Sequence, residues 1–307
     1  MELNNQITFC SYNINHYDDI KDAHGDEEDP SALETLFYNC TFLILQETWL
    51  TEDGFIRKFK NHFPDSECIT KNKMEFNDIK RGRPYGGVSI CYHSNIKCNV
   101  EIIPTISKSI CAQNITIDNI SILLINVYMP SSDNRDSLDE YYAILQEIST
   151  ICIKSETDIL IIGGDWNADP KRNDGRTKLF KEFISNEGLL NALDLDLADV
   201  PYTYDNFKQK DVPHMTSTID HFLISPNLKD SITSYSAVFL ANNFSDHTPI
   251  KLSLKAEVKF HETINRRFKP HVAWHKCSNT NIDDYRNELD RLLPDIDLLN
   301  EALNCKS

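Results

Sequence analysis

The fold class is decided by the stretch ILIIGGDWNADP, residues Ile159 to Pro170. Its apolar run is typical of a buried β-strand, and the two glycines and the polar residues after them mark the point where the chain turns out. Alternation along a strand places the side chains of Asp165 and Asn167 on the same side. Because ligands in α/β folds gather beyond the carboxyl ends of strands, these two residues are candidate site residues. Taken alone, the stretch is equally compatible with a polar turn that has no chemical role.

The rest of the chain predicts further strands and a few helices. Apolar and β-branched patterns predict strands over 7–14, 41–47, 86–93, 96–103, 110–117, 120–128, 158–162, 217–225 and 249–255. Apolar residues at a helical period predict helices that begin at the capping residue Ser31 and that cover 137–155 and 177–186. Strands that follow one another closely favour antiparallel pairing. We therefore predict an α/β (α+β) fold with two packed sheets flanked by helices.

Length and composition are those of a soluble globular protein. The chain has 307 residues, of which 40% are hydrophobic and 25% are charged. After Val258 the sequence becomes basic and irregular, and an amphipathic helix is then predicted over Asp283–Leu293. We predict one domain over residues 1–258, including a polar acidic loop at Asp18–Pro30, and a linker or tail over 259–307.

The charge balance counts against a nucleic-acid enzyme. The chain carries 31 Lys and Arg residues against 47 Asp and Glu residues, a net charge of −16 that repels a polyanion on average. A metal site is itself built from carboxylates, however, and a local basic strip can still contact phosphates. The strip consists of Lys71, Lys73, Lys80, Arg81 and Arg83.

The spacing of the cysteines and the N-terminal sequence indicate the cellular compartment in which we expect the protein. The nine cysteines include no CxxC pair and no Cys/His cluster at zinc spacing, which favours reduced thiols over disulfides or structural zinc. The N-terminus lacks a basic region followed by an apolar stretch, and the apolar runs are too short to span a bilayer. We expect an intracellular protein that is neither secreted nor bound to a membrane.

Polar side chains close several other predicted strands. Asn13 follows ITFCSY, Glu47 ends LILQE, Asp220 lies in STIDHFLIS, and Asp246 and His247 precede the last strand. A single acidic residue at a strand end is commonly only solvated, and a lone histidine there is more often structural. Their joint occurrence favours a reactive site in which His247, oriented by a carboxylate, donates to a phosphate oxygen.

Seven motifs in this order resemble the endonuclease/exonuclease/phosphatase superfamily over roughly residues 5–256. They are SYNIN (11–15), LILQETWL (43–50), YGGVSICY (85–92), INVYMPSS (125–132), IIGGDWNADP (161–170), STIDHFLIS (217–225) and SDHTPI (245–250). The resemblance implies a four-layer αββα sandwich in which two mixed sheets pack face to face with helices outside. It also implies an active site at the strand ends where the sheets meet.

The same resemblance implies a metal site and a set of catalytic residues. Glu47 resembles the family's Mg²⁺ ligand, helped by Asn15 or Asp246, with Mn²⁺ as an alternative ion. The catalytic residues that it implies are Asp165 (activation of water), Asn167 and Asn13 (phosphate positioning), His247 held by Asp220 (transition-state stabilisation) and Tyr128 (beside the scissile phosphate). Metal and histidine would neutralise the developing charge while the polar groups hold the in-line geometry.

Within the superfamily the chain most resembles the endonuclease domains of non-LTR (LINE-like) retrotransposons. Asn15 occupies a position where repair nucleases of the superfamily typically carry Asp, and YTYDN around Thr203 and the tail resemble the retroelement pattern. Thr203, Ser217 and Arg135 are the candidate substrate-binding residues, although Arg135 could equally be a solvated side chain. The reverse transcriptase of a parent element would be the partner. It is absent here, so we expect a fragment, a truncated copy or a domesticated derivative.

We predict a magnesium-dependent phosphodiesterase that nicks DNA in the nucleus and leaves a 3′-hydroxyl and a 5′-phosphate. Three alternatives remain: a phosphoinositide or sphingomyelin phosphodiesterase, an RNA nuclease of the deadenylase type, and an inactive binding scaffold. STIDHFLIS lacks the Trp/Cys/Asp/Arg pattern of inositol phosphatases, whereas the acidic charge favours smaller or single-stranded substrates. The presence of every expected motif residue counts against a scaffold.

Overall fold

A computed structural model describes residues 6–17, 31–72, 85–117, 120–155, 157, 159–207, 213–255, 283 and 287. The predicted acidic loop, the basic strip apart from Lys71, and the predicted tail helix apart from Asp283 and Asn287 lie outside these residues. Contacts between Cα atoms divide the chain into Met1–Glu262 and Thr263–Ser307. The predicted boundary after residue 258 stays a prediction. Among the described residues, no helix combines the length and the apolar character needed to cross a bilayer.

The described elements are fifteen strands, four α-helices and two 3-10 helices, Ala192–Asp194 and Pro226–Ser231. The strands are β1 (Gln6–Asn13), β2 (Phe42–Gln46), β3 (Ser66–Lys71), β4 (Val88–His93), β5 (Asn99–Ile103), β6 (Ile110–Ile117), β7 (Ile120–Tyr128), β8 (Leu160–Asp165), β9 (Leu190–Asn191), β10 (Ala198–Asp199), β11 (Tyr204–Asp205), β12 (Thr216–Ser217), β13 (Asp220–Ile224), β14 (Ile232–Ala237) and β15 (Ile250–Lys255). The helices are α1 (Ala32–Tyr38), α2 (Glu52–His62), α3 (Arg135–Lys154) and α4 (Gly175–Glu187).

Two large mixed sheets form the body of the domain. The first has the order β10-β14-β15-β1-β2-β4-β3, the second has the order β5-β6-β7-β8-β13-β9, and β11 and β12 form a separate ribbon. The pairs β1–β2, β7–β8 and β10–β14 are parallel, whereas the neighbours β1–β15, β2–β4 and β8–β13 are antiparallel. The expectation that closely spaced strands pair antiparallel is confirmed for β5–β6 and β6–β7, whereas the parallel pairs β1–β2 and β7–β8 join strands that a helix separates in the chain.

The sheets pack face to face, with helices on both outer sides. Apolar side chains of both sheets form one buried cluster, in which Phe9 and Ile44 belong to the first sheet and Ile161 and Phe222 to the second. Helices α1 and α2 cover the first sheet through a second cluster, and α3 and α4 cover the second sheet through a third. The sheets also exchange a buried hydrogen bond, since Gln46 Nε2 donates to Asn126 Oδ1 at 2.7 Å. The predicted four-layer αββα sandwich is confirmed.

The strands and helices predicted from the sequence leave out α2, β3 and β14, and also the two-residue strands β9, β10 and β11. Helix α2 begins after Thr51, whose Oγ1 accepts a hydrogen bond from Gly54 N at 3.2 Å, and it buries Phe55 and Phe59 one turn apart. The remaining residues of this helix are largely charged or polar, so its apolar stripe is narrow. By contrast, the prediction that Ser31 caps a helix is confirmed, since Ser31 and Glu34 form a reciprocal capping box.

Strand β8 corrects the interpretation of the two glycines. The predicted strand ended at Ile162, whereas the observed strand continues through Gly163 and Gly164 to Asp165. A Cβ atom on Gly163 would lie 2.4 Å from Phe222 Cε1, and one on Gly164, whose φ is +143°, would lie 2.0 Å from Val127 O. The glycines therefore serve close packing within and between the sheets, and the turn begins only after Asp165. The predicted strand over 217–225 is likewise divided into β12 and β13.

Candidate active site

The candidate residues converge because strands of both sheets end or begin at the same edge. In the first sheet, Asn13 ends β1 opposite Gln46, and Glu47 directly follows Gln46. In the second sheet, Tyr128 lies opposite Asp165 across β7 and β8, and Asp165 lies opposite Asp220 across β8 and β13. The register of the second sheet thus aligns Tyr128, Asp165 and Asp220 in one row. This row lies beside the ends of β1 and β2, where Asn13 and Glu47 of the first sheet are found.

Asn13 joins the two halves of the site. Its side chain is completely buried, and its Nδ2 donates to Glu47 Oε1 at 2.8 Å and to Asp165 Oδ2 at 3.0 Å. Its Oδ1 accepts a hydrogen bond from Asn15 N at 3.1 Å. A single carboxamide therefore fixes the spacing between a carboxylate of the first sheet and a carboxylate of the second.

Asn167 holds the other oxygen of Asp165. The Asn167 N–H donates to Asp165 Oδ1 at 2.9 Å, and the Asn167 Nδ2 donates to Asp165 Oδ2 at 3.2 Å and to Met129 O at 2.9 Å. The predicted proximity of the two side chains is therefore observed. Asp165 itself is only 1% exposed, so these donors replace the water that would otherwise solvate its charge.

His247 lies beside Asp165 and is oriented by Asp220. Its Nδ1 is 2.9 Å from Asp220 Oδ2, and its Nε2 is 4.0 Å from Asp165 Oδ2. Ser245 Oγ accepts a hydrogen bond from His247 N at 3.0 Å and donates to Asn13 O at 2.7 Å. The imidazole is thereby fixed with its Nε2 beside the Asp165 carboxylate.

Electrostatics shift the pKa values of both central groups. Burial and the negative charge of Asp220 raise the pKa of Asp165 to about 7. Burial lowers the pKa of His247, but the charge of Asp220 and its hydrogen bond outweigh this effect and raise it to about 10. A carboxylate with a raised pKa and a positively charged histidine beside it are suited to proton transfer and to stabilising an anion.

The shift of His247 predicts a pH dependence of stability. A group whose pKa rises on folding stabilises the fold below its unfolded pKa and loses this contribution as pH rises through its folded pKa. In EDTA, we therefore expect the unfolding free energy of the unmodified chain to exceed that of His247→Gln most below pH 6.5, with the difference shrinking towards pH 10. Urea unfolding at several pH values measures it. A difference that stays constant between pH 6.5 and pH 10 would show that the folded pKa of His247 is not raised.

Oxygen-bearing side chains at the open rim of the site could hold a divalent cation. Glu47, Asp246 and Asn15 are half-buried, in contrast to the buried Asp165 and His247, and Asn15 Nδ2 donates to Asp246 Oδ1 at 3.1 Å. The Glu47 carboxylate accepts hydrogen bonds from Asn13 and Trp49, and it also bonds the Tyr128 hydroxyl. A carboxylate has about four acceptor sites, so it retains room for a cation, and Mg²⁺ typically takes one or two carboxylates plus water and phosphate oxygens. These residues fit Mg²⁺.

A second, buried group also has the composition of a metal site. One ligand atom each from Asp165, Asp220 and His247 lie within 4.8 Å of one another. In this group His247 Nδ1 is hydrogen-bonded to Asp220 Oδ2 at 2.9 Å, whereas a histidine that ligates a metal offers a neutral ring nitrogen. Binding of the cation at the rim around Glu47 stays a prediction.

The structure places the three candidate substrate-binding residues differently from one another. Thr203 is completely buried, and its Oγ1 accepts hydrogen bonds from Ile219 N at 2.9 Å and Asp220 N at 3.0 Å, so it supports Asp220 from behind and presents no surface to a substrate. Ser217 is buried in the adjacent ribbon, and its carbonyl accepts from Thr203 N. Arg135 is exposed at the first residue of α3. Contact of Ser217 and Arg135 with a substrate stays a prediction.

Sequence reasoning missed several supporting residues. Asn243 donates to His247 O at 2.8 Å and accepts a hydrogen bond from Tyr12 OH at 2.6 Å, which ties the His247 loop to β1. Trp49 Nε1 donates to Glu47 Oε2 at 3.1 Å. In the sequence, Tyr12 and Trp49 were marked only by their positions inside the motifs SYNIN and LILQETWL. Asn243 was marked only by its position just before SDHTPI.

Comparisons with known proteins agree with this arrangement. A sequence model of the endonuclease/exonuclease/phosphatase family matches residues 10–247. The structure is similar to the endonuclease domain of TRAS1, a telomere-specific non-LTR retrotransposon, with a TM-score of 0.59, 16% identity, and coverage of 81% of this chain and 98% of that domain. No curated protein sequence matches the chain.

Two further solved structures illustrate the range of similar proteins. The 3′ phosphatase NExo from Neisseria, bound to a product DNA hairpin, has a TM-score of 0.60 and 15% identity, with coverage of 81% of this chain and 99% of that one. The human Nocturnin catalytic domain with bound sulfate has a TM-score of 0.56 and 17% identity, with coverage of 85% and 97%. At these identities the likeness concerns the fold, and it includes nuclease and phosphatase scaffolds.

Proposed function

Because this chain belongs to the endonuclease/exonuclease/phosphatase family, we propose that it is a divalent-metal-dependent phosphodiesterase that nicks DNA, leaving a 3′-hydroxyl and a 5′-phosphate. The observation that carries the proposal is the bridge made by Asn13 between Glu47 and Asp165. This bridge brings a half-buried cation ligand of one sheet next to a buried general base of the other. The fold shared with a retrotransposon endonuclease and with a DNA-bound phosphatase supports DNA as the substrate.

Asp165 is the residue placed to accept a proton from the attacking water. Its raised pKa makes the carboxylate a stronger base than an exposed aspartate, and a catalytic base works best when its pKa is near the operating pH. The hydrogen bonds from Asn13 and Asn167 hold both of its oxygens. The water would therefore meet a carboxylate of fixed orientation, which favours in-line attack.

His247 is the residue placed to donate to the phosphate. Because its Nδ1–H donates to Asp220, the Nε2–H of the charged ring points into the space beside Asp165. A nonbridging phosphate oxygen held there would receive a charge-assisted hydrogen bond that strengthens as negative charge develops. A Mg²⁺ ion bound at Glu47 would supply Lewis-acid neutralisation of the phosphate charge.

The origin and the site of action are part of the same proposal. Asn15, rather than an aspartate, donates to Asp246, and a solved retrotransposon endonuclease domain shares the fold. We infer descent from a non-LTR element and action in the nucleus, where chromosomal DNA is the substrate.

Cleavage of supercoiled plasmid tests the function. We expect nicking in Mg²⁺ and none in EDTA, and we expect Glu47→Gln to lower the rate by on the order of 10²-fold or more, because it removes the charged cation ligand. Glu101→Gln, which changes an exposed glutamate of β5, is the matched control and should nick at the normal rate.

The chemistry of the cut ends makes the test specific. A DNA polymerase extends the nicked strand only if it ends in a 3′-hydroxyl, and a ligase seals the nick only if the adjoining end also carries a 5′-phosphate. We expect both reactions on the nicked plasmid. A 3′-phosphate, or a covalent adduct between protein and DNA, would contradict the mechanism. An intact plasmid combined with cleavage of RNA or of a phosphoinositide would replace DNA with that substrate.

A further inference from the structure

Two residues outside the predicted site hold Glu47 in its conformation. His16 N donates to Glu47 O at 2.9 Å, and Trp49 Nε1 donates to Glu47 Oε2 at 3.1 Å. The rings of His16 and Trp49 contact each other, with centroids 5.6 Å apart and planes inclined at 58°. His16 is only 7% exposed, so this contact takes place beneath the surface of the site.

The backbone of the same residues is strained. The φ angles are +101° at His16, +53° at Glu47 and +52° at Trp49, and none of these residues is glycine. The value at His16 lies well outside the small left-handed region that other residues reach, whereas glycine adopts it readily. Strained conformations persist only where surrounding contacts enforce them, and they cluster at functional sites.

Both oxygens of the Glu47 carboxylate are fixed by donors from different segments. Asn13 Nδ2 holds Oε1 and the Trp49 indole holds Oε2, so the plane of the carboxylate cannot rotate without breaking one bond. The remaining acceptor positions then point in one direction before any cation arrives. Orientation of this kind by outer groups typically changes metal affinity by about 10–100-fold.

We propose that Trp49 and His16 are positioning residues that preset the Glu47 carboxylate for Mg²⁺, which rests on the proposed role of Glu47 as the cation ligand. Trp49 supplies the donor, and the His16 ring packs against the indole and holds it over the carboxylate. A glycine at position 16 would adopt the backbone conformation without strain, but it would leave the indole uncovered. The strain at His16 is thus retained for the orientation of Trp49.

The proposal makes a prediction about metal selectivity. Mg²⁺ requires near-ideal octahedral geometry, whereas Ca²⁺ accepts variable coordination. Trp49→Phe, which removes the N–H donor and keeps an aromatic ring, should therefore weaken Mg²⁺ binding by about 10-fold or more and Ca²⁺ binding much less. His16→Gly should change the two affinities in the same way, while its unfolding temperature without metal stays equal to or above that of the unmodified chain.

Competition with Mn²⁺ measures both affinities in the full chain, with free Mn²⁺ read by electron paramagnetic resonance. Tyr142→Phe, which removes the polar hydrogen of an exposed aromatic side chain in α3, is the control and should bind both ions normally. Glu47→Gln should lose affinity for both ions. If Glu47→Gln binds Mn²⁺ and Mg²⁺ normally, the proposed cation site itself is wrong.

The positioning role has its own failing outcomes. If Glu47→Gln loses affinity but Trp49→Phe and His16→Gly bind like the unmodified chain, only the positioning role is overturned. Equal losses for Mg²⁺ and Ca²⁺, or a lower unfolding temperature for His16→Gly, would show that these residues serve the fold instead. Should Trp49→Phe fail to fold, His16→Gly still tests the proposal alone.

Discussion

Replacing Asp165 with Asn should lower the rate of Mg²⁺-dependent DNA nicking by about 10²–10⁴-fold, the usual contribution of a general base. The substitution keeps the shape of the side chain and can keep its bonds to the neighbouring amides in part, but an amide cannot accept the proton of the attacking water. Asp165 is buried against Asn13 and Asn167, so a water molecule from the solvent cannot replace its carboxylate as the base. Initial rates on supercoiled plasmid measure the loss.

Two controls separate catalysis from folding in this experiment. Asp196→Asn changes an exposed aspartate and should nick at the normal rate. Asp165→Asn should still bind a DNA duplex and should unfold no earlier than the unmodified chain, because it relieves the repulsion between Asp165 and Asp220. Nicking by Asp165→Asn within a few-fold of normal would assign the base to another group.

Gly164→Ala should have the largest effect on stability, a loss of more than about 4 kcal/mol in the free energy of unfolding. The added methyl would lie 2.0 Å from the carbonyl oxygen of Val127 on the adjacent parallel strand, and φ at this position is +143°. Relief would require β7 and β8 to move apart, which would separate Tyr128 from Asp165. Urea unfolding followed by circular dichroism measures the loss, and a chain that does not fold meets the expectation.

Gly188→Ala is the matched control because it separates backbone strain from steric overlap. Gly188 ends α4 with φ of +63°, and a Cβ atom there would meet nothing within 4 Å. Its replacement should cost only about 1 kcal/mol, the left-handed penalty of a residue other than glycine. Equal losses of unfolding free energy for Gly164→Ala and Gly188→Ala would mean that β7 and β8 move apart at little energetic cost.

The sequence predicts which residues of the site lie close together better than it predicts how they are held. Asn13, Glu47, Asp165, Asp220 and His247 each stand next to an apolar run, so their convergence at strand ends could be expected from local pattern. The hydrogen bonds between them depend on which strands pair and in what register. That Asp165 lies opposite Asp220 follows from the antiparallel pairing of β8 and β13, which no local pattern states.

Some features of the fold have weak local signals for physical reasons. Helix α2 buries Phe55 and Phe59 but is otherwise largely charged or polar, and β3 has only two buried positions in its pattern, so neither shows the periodicity that predicts an element. The conformation of His16 is not visible in the sequence either, because a histidine gives no sign that its φ will be +101°. Tertiary contacts, rather than local sequence, determine α2, β3 and the conformation of His16.

The contact of Asn13 with both Glu47 and Asp165 has a consequence for the order in which the chain acquires activity. Neither sheet alone contains a complete reaction centre, and the groups involved span the sequence from Asn13 to His247. A nascent or half-assembled chain would therefore lack the complete site on which the proposed DNA cleavage depends. If the proposed function is correct, cleavage would begin only when the two sheets have docked, so only fully folded molecules would cut DNA.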